Sequence, residues 1–183
     1  MNTPQETSNL FLDVVLPILA LVTSISAVIF TWLGLKIQRT HNFKSVRPIG
    51  KIRIGDYESN IFIRIDNYGT GPLIIKHIVV NGEKLKKHEG LFNKLPDEFV
   101  ESIRWRNFTT NYVNRVIPSN GTLELIRWTQ ETDFERNETE VSEIRAELRR
   151  QLKDLKIKVV YTDIYEKNEF SDKLKLTWFS RNL

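Results

Sequence analysis

Residues 14–35 read VVLPILALVTSISAVIFTWLGL and contain no ionisable side chain. An α-helix rises about 1.5 Å per residue, so this stretch is long enough to cross the roughly 30 Å hydrocarbon core of a bilayer. The remainder, residues 36–183, has a mixed polar pattern and the size of one ordinary domain. The sequence therefore predicts one transmembrane helix followed by a single domain.

The segment before the apolar stretch predicts that the helix is retained and not cleaved. It reads MNTPQETSNLFLD and contains no Lys or Arg, whereas a secretory signal begins with basic residues. The apolar run is also longer than the roughly 7–15 residues of a signal peptide. We therefore expect a single-pass anchor.

The charges on the two flanks predict the orientation of the helix. All 27 Lys and Arg residues lie at or after Lys36, whereas only the acids Glu6 and Asp13 precede it. Because basic flanks stay on the cytoplasmic side, we expect a cytoplasmic domain and an N-terminus outside. The expected segments are an extracytoplasmic leader (1–13), the transmembrane helix (14–35), a juxtamembrane linker (36–48) and the cytoplasmic domain (49–183).

Small residues recur on one face of the predicted transmembrane helix. A face of small side chains lets such helices approach each other closely. We therefore expect a homo-oligomer through this face, with the lipid bilayer as the other partner of the helix. The small residues follow at steps of three and four: Ala20, Ser24, Ala27, Thr31 and Gly34.

Short β-branched runs separated by turn signals dominate the domain. The run NIFIRIDN (60–67) alternates in polarity, and Asn81-Gly82 after the apolar run 73–80 is a strong signal for a type I′ hairpin. Further strands are expected at 49–55, 111–118, 121–128, 155–162 and 174–179.

One helical pattern interrupts the strands. Asn137 and Glu140 fit a capping box, and Val141, Ile144, Leu148 and Leu152 follow at steps of three and four. This pattern predicts an amphipathic helix at about 138–153. About seven short strands with one inserted helix are typical of an immunoglobulin-like β-sandwich, and a small β-barrel is the alternative.

The sequence RPIGKIRI followed by IRIDNYGTGPLIIKHIVVNG resembles a broad set of bacterial inner-membrane proteins with N-terminal spans and a cytoplasmic β-sandwich. Their shared Asn-x-Gly-x-Gly-Pro turn is matched by Asn67, Gly69, Gly71 and Pro72. The late segment VVYTDIYEKNEF is similar to their penultimate strand and turn, except that Glu166 stands where a glycine is usual. The resemblance implies the fold and a bacterial source.

Some proteins of this layout resemble membrane effectors of antiphage systems. In those proteins a soluble domain senses a nucleotide signal, and the spans assemble to damage the membrane. The resemblance is one of architecture, so it implies this function only as an alternative for the present chain.

Arginine and tryptophan stand together at two places in the domain. Arg104-Trp105-Arg106 and Arg127 are the candidate ligand-binding residues, because such side chains stack on bases and contact phosphates. The same residues suit an anionic bilayer surface, or a strand with its tryptophan in the core and its arginines in water. The expected partner is a cytoplasmic protein or an anionic nucleotide, and we expect no specific binding of double-stranded nucleic acid.

The sequence displays no catalytic motif. It has no cysteine, and the three histidines (His41, His77 and His88) lack metal-ligand spacing. The Gly69-Thr70-Gly71 turn lacks the Gly-Lys-Ser/Thr ending of a phosphate loop. We therefore expect no metal, no cofactor and no enzyme, and predict a membrane-tethered, non-enzymatic binding module.

Overall fold

The computed structural model describes residues 11–133 and 136–182. They form two compact units, which divide in sequence between Ser45 and Val46. The predicted leader, residues 1–13, lies almost entirely outside the described residues.

The first unit is a single long helix. A π-helical turn (Phe11–Val15) leads into α1 (Leu16–Ser45), which has 30 residues, none of them buried. Pro17 lies in the first turn of α1, where the absent N–H costs no helical hydrogen bond. Among the described residues this is the one helix long and apolar enough to cross a membrane, and an N-terminal signal sequence meets the same criteria. The helix includes residues 36–45 of the segment expected to be a linker.

The second unit is a mainly-β domain of two antiparallel sheets. One sheet, here called sheet A, has the order β1-β2-β7-β5; the other, sheet B, has the order β4-β3-β8-β9, with β6 also pairing β3. The strands are β1 (Gly50–Tyr57), β2 (Asn60–Asn67), β3 (Leu73–Val80), β4 (Glu83–Lys84), β5 (Asn107–Phe108), β6 (Val116–Ile117), β7 (Thr122–Thr129), β8 (Lys156–Thr162) and β9 (Glu169–Lys175).

The predicted alternative of a small barrel is wrong. Among the described strands, the ladders end at β1 and β5 in sheet A and at β4 and β9 in sheet B, so neither sheet closes on the other. The physical reason is that the apolar side chains are already covered between the two sheets. Ile63 of β2 and Ile75 of β3 are fully buried in one shared core, so the sheets need no hydrogen-bonded closure.

The inserted helix forms as the sequence predicts. Besides the short α2 (Asp97–Ser102), the domain contains α3 (Glu138–Leu152). The Glu140 amide donates to Asn137 Oδ1 at 3.0 Å, and the Asn137 amide donates to Glu140 Oε2 at 3.3 Å. The capping box is therefore confirmed. The apolar stripe is buried in the core as expected: Val141, Ile144, Leu148 and Leu152.

The hairpin at Asn81-Gly82 is also confirmed. Both residues have positive φ, 51° and 91°, as a type I′ turn requires. Val80 pairs with Glu83, so the chain returns antiparallel after two residues.

Two predicted strands differ from the structure. Of the run 174–179 only Leu174 and Lys175 lie in a strand, at the end of β9, and Leu176–Asn182 is a 3₁₀ helix. Leu176 and Phe179 are fully buried three residues apart, a spacing that places both on one side of such a helix. Of the run 111–118 only Val116 and Ile117 form a strand. Shorter 3₁₀ helices lie at Leu91–Lys94 and Gln130–Asp133.

A buried asparagine organises the turn between β2 and β3. Asn67 Nδ2 donates to the carbonyls of Gly71 at 2.8 Å and Ile117 at 3.1 Å. Its Oδ1 accepts from the amides of Gly69 at 3.0 Å and Ile49 at 3.2 Å. Asn67 therefore joins the residues just before β1 to this turn and to β6.

The two glycines of this turn permit a close approach of the backbone. A Cβ on Gly71 would lie 1.8 Å from the carbonyl oxygen of Val46, and one on Gly69 would lie 2.3 Å from that of Arg47. Both glycines therefore serve to make room for the segment that leads into β1. Their presence is explained without a phosphate-binding role.

Candidate anion-binding site

The Arg104–Arg106 segment lies between α2 and β5. Arg104 and Arg106 are exposed, whereas Trp105 is half-buried and packs against the core. Trp105 Nε1 is buried and has no hydrogen-bond partner among the described residues. The tryptophan therefore anchors the segment, and the arginines lie on its solvent side.

The fourth candidate residue, Arg127 on β7, is adjacent to this segment. The Arg106 amide donates to the Arg127 carbonyl at 2.9 Å, and Asn107 is the register partner of Arg127. The structure thus brings Arg106 and Arg127 together on neighbouring stretches of backbone at the β5 edge of sheet A.

The charge of Arg127 is already compensated. Its Nε donates to Glu124 Oε1 at 2.6 Å, and its guanidinium lies 5.0 Å from the ring centre of Phe62. Arg64 lies over the same ring at 4.9 Å. Glu124 therefore neutralises Arg127, and the exposed side chains of Arg104 and Arg106 lie on the neighbouring segment.

The proposed packing face of α1 carries hydroxyls that are satisfied within the helix. Ser24 Oγ donates to the Ala20 carbonyl at 2.7 Å, and Thr31 Oγ1 donates to the Ala27 carbonyl at 2.7 Å. A Cβ at Gly34 would meet nothing within 4 Å. This face is small and needs no polar partner, so close packing of a second helix would rest on van der Waals contact.

The described residues contain no group of three or more His, Asp or Glu side chains placed to hold a metal ion. His77 lies half-buried on β3. Its pKa is lowered by burial and by the positive charges of Lys84 and Lys158, with Glu169 opposing them.

Lysines that the sequence analysis did not single out gather on the outer face of sheet B. Lys156 is the register partner of Lys175, and Lys158 is the register partner of Lys173. All four are exposed. The signal was present in the sequence: KIK (156–158) and KLK (173–175) each place lysines two residues apart, on one face of a strand.

No family model, curated protein or solved structure matches this chain.

Proposed function

We propose that this chain is a single-pass protein of the bacterial inner membrane whose cytoplasmic domain is a non-enzymatic binding module. The observation that carries the proposal is α1 itself, which has no buried residue and is apolar and uncharged over residues 16–35. Water is a poor solvent for such a surface, whereas a bilayer is a good one. The basic residues after Leu35 favour a cytoplasmic domain.

The strand order supports an immunoglobulin-like assignment for the domain. If β1, β2, β5 and β7 are taken as A, B, D and E, sheet A has the order A-B-E-D. Taking β3, β8 and β9 as C, F and G then gives sheet B the order C-F-G, extended by the short β4. Sandwiches of this kind serve many binding functions, so the fold alone does not identify a ligand.

The ligand that the site favours is an anion with an aromatic or planar part. Arg104 and Arg106 offer exposed guanidinium groups, which pair with phosphate or carboxylate in a fork geometry. A nucleotide or an acidic segment of a cytoplasmic protein has this chemistry.

The tether can be tested on the full chain because it contains no cysteine. A single cysteine replaces Ser142, which is exposed on α3, and bacterial spheroplasts are treated with a membrane-impermeant maleimide. We expect alkali-resistant membrane association and labelling only after lysis. A processed chain that lacks the apolar stretch, or labelling in intact spheroplasts, would contradict the proposal.

The second candidate is an effector that permeabilises the membrane when a nucleotide binds. The observation favouring it is the small face of α1, whose hydroxyls are internally satisfied. Induction of the full chain is followed with a membrane-potential dye, beside a variant in which Ala20, Ala27 and Gly34 are replaced by leucine. Depolarisation that the variant loses supports the effector, and an unchanged potential supports the tether.

A further inference from the structure

The outer face of sheet B carries like charges directly opposite each other. The pairs Lys156/Lys175 and Lys158/Lys173 are cross-strand neighbours on β8 and β9. On the other side of β8, Val79 of β3 lies between Lys158 and Lys84 of β4. Like charges in directly opposed positions destabilise a sheet. We call these five residues the lysine face.

The lysine face lacks the compensation found on the other sheet. On sheet A, every one of the cations Lys51, Arg53, Arg64 and Arg127 has a carboxylate within 4 Å. Among the described residues, none of the five lysines forms such a pair. The cations of sheet A are therefore neutralised one by one, whereas the five residues of the lysine face are not, although Lys76 on β3 pairs with Glu166 and Glu169 lies on β9.

Protection of a sheet edge does not account for this arrangement. Lysines on an edge strand discourage pairing with another chain, which would explain Lys173 and Lys175 on β9. Lys156 and Lys158, however, lie on β8, which is hydrogen-bonded on both sides by β3 and β9. Their charges have no edge to protect, so an external anionic partner is the better explanation.

The chemistry of the face favours a flat and poorly ordered array of anions. Ammonium groups act as point charges without the fork geometry that selects one phosphate or carboxylate. None of the outward-facing residues of β3, β8 and β9 is Phe, Tyr or Trp, so the face has no platform for stacking nucleic-acid bases. Anionic phospholipid headgroups have the required chemistry and shape.

Resting on the proposed membrane tether, we propose that the lysine face binds the anionic surface of the bilayer that holds α1. Only residues 46–49 separate the end of α1 from β1, so the domain cannot leave the vicinity of that bilayer. Binding of this kind is electrostatic and is screened by salt. It would fix which side of the domain faces the cytoplasm and leave Arg104 and Arg106, in the segment before β5, to a soluble ligand.

The experiment uses the full chain in nanodiscs, with Ser171→Cys as its single cysteine. Ser171 is exposed on β9 opposite Val160, within the face. An environment-sensitive dye attached at this position is quenched with acrylamide in discs of phosphatidylcholine, with or without phosphatidylglycerol. We expect protection from quenching only in the anionic discs, with loss of that protection at high salt. A dye attached through Ser142→Cys should be quenched equally in both kinds of disc.

Two double variants that remove the same number of positive charges distinguish a role of the lysine face from an effect of the domain's net charge. We expect K158Q/K173Q to lose the protection, and K86Q/K87Q, which removes two exposed lysines outside the five, to keep it. Equal quenching in both kinds of disc, or equal behaviour of the two variants, would overturn the inference.

The remaining outcomes are also distinct. A chain that does not incorporate into either disc contradicts the proposed tether, and with it this inference. A chain that incorporates normally, but is protected by added single-stranded RNA and not by phosphatidylglycerol, overturns the lipid assignment alone in favour of a nucleic acid.

Discussion

Arg149 of α3 binds the buried carboxylate of Asp56 at the end of β1 through two hydrogen bonds. Arg149 Nε lies 2.8 Å from Asp56 Oδ2, and its terminal amino group lies 2.9 Å from Oδ1. The Asp56 side chain is 0% exposed and that of Arg149 is 13% exposed. The two hydrogen bonds thereby attach α3, which lies between β7 and β8 in the sequence, to the first strand of the domain.

We expect Arg149→Met to lower the free energy of unfolding of the domain by about 3 kcal/mol, because it leaves a buried carboxylate poorly compensated. Arg145, 3.9 Å from the same carboxylate, keeps the loss at the lower end of such values. Urea unfolding of the full chain in detergent, followed by tryptophan fluorescence, measures it. The control is Arg150→Met, whose pair with Glu147 is largely exposed and worth less than about 1 kcal/mol. Equal losses in the two variants would contradict the assignment.

Gly71→Ala should destabilise the domain by about 2 kcal/mol or more, since the new methyl group meets the backbone of Val46 and not a movable side chain. The same urea titration serves as the measurement. Gly34→Ala is the matched control: its Cβ meets nothing within 4 Å, and alanine favours a helix. A Gly71→Ala protein as stable as the parent would show that the segment entering β1 can move aside.

Ala27→Leu should weaken self-association of the helix, because a bulky side chain on the small face keeps two backbones apart. Crosslinking of the full chain in detergent, at several protein concentrations, reports the oligomer. Val22→Phe adds bulk on roughly the opposite face and should leave the pattern unchanged. An identical pattern for both variants would remove this face as the contact.

The double variant R104A/R106A should reduce the affinity of the full chain for a fluorescent adenine nucleotide at least about tenfold, the loss expected when charge-assisted hydrogen bonds are removed. Titration monitored by fluorescence anisotropy gives the dissociation constant. Arg115→Ala removes another exposed arginine and should leave the affinity intact. Retained affinity in the double variant would exclude these two arginines as the nucleotide site.

The pKa of His77 should lie below its ordinary value of about 6.5 and should rise in Lys158→Gln, because one of the charges that lower it is removed. Titration of its imidazole resonances by NMR measures both values. With a lowered pKa in the folded state, the unfolded chain takes up the proton first as the pH falls. The stability linked to His77 is therefore present above about pH 6.5 and is lost as the pH falls toward the folded pKa. The His77→Gln variant should not show this loss of stability as the pH falls. An unchanged His77 pKa in Lys158→Gln would contradict the influence assigned to Lys158.

Short sequence motifs predicted the turn and the helix cap, whose conformations depend on residues close to each other in the sequence. Asn81 and Gly82 adopt positive φ, and Asn137 with Glu140 closes the capping box, because both arrangements involve only residues within four positions of each other. Glu166 extends the point. Its φ of 52° places a left-handed backbone conformation at a residue other than glycine, in the turn between β8 and β9.

Elements that depend on distant partners were predicted less well. The run after Lys175 has strand-like composition, yet it forms a 3₁₀ helix in which Leu176 and Phe179 are buried in the core. Likewise, Arg127 was a candidate ligand residue on its sequence neighbours alone. Its pairing with Glu124 and its stacking on Phe62 depend on where β2 lies beside β7, which no short window of sequence contains.

The sequence by itself determined that this protein has an apolar helix of membrane-spanning length, a mainly-β domain and one capped amphipathic helix. Hydrophobic length and periodicity decide these features, and both are properties of contiguous residues. Only the tertiary structure decided that the sheets stay separate, that Asp56 and Arg149 meet across 93 positions, and that Lys156 and Lys158 lie directly opposite Lys175 and Lys173. Strand order and register set these contacts, and they come from packing the whole core at once.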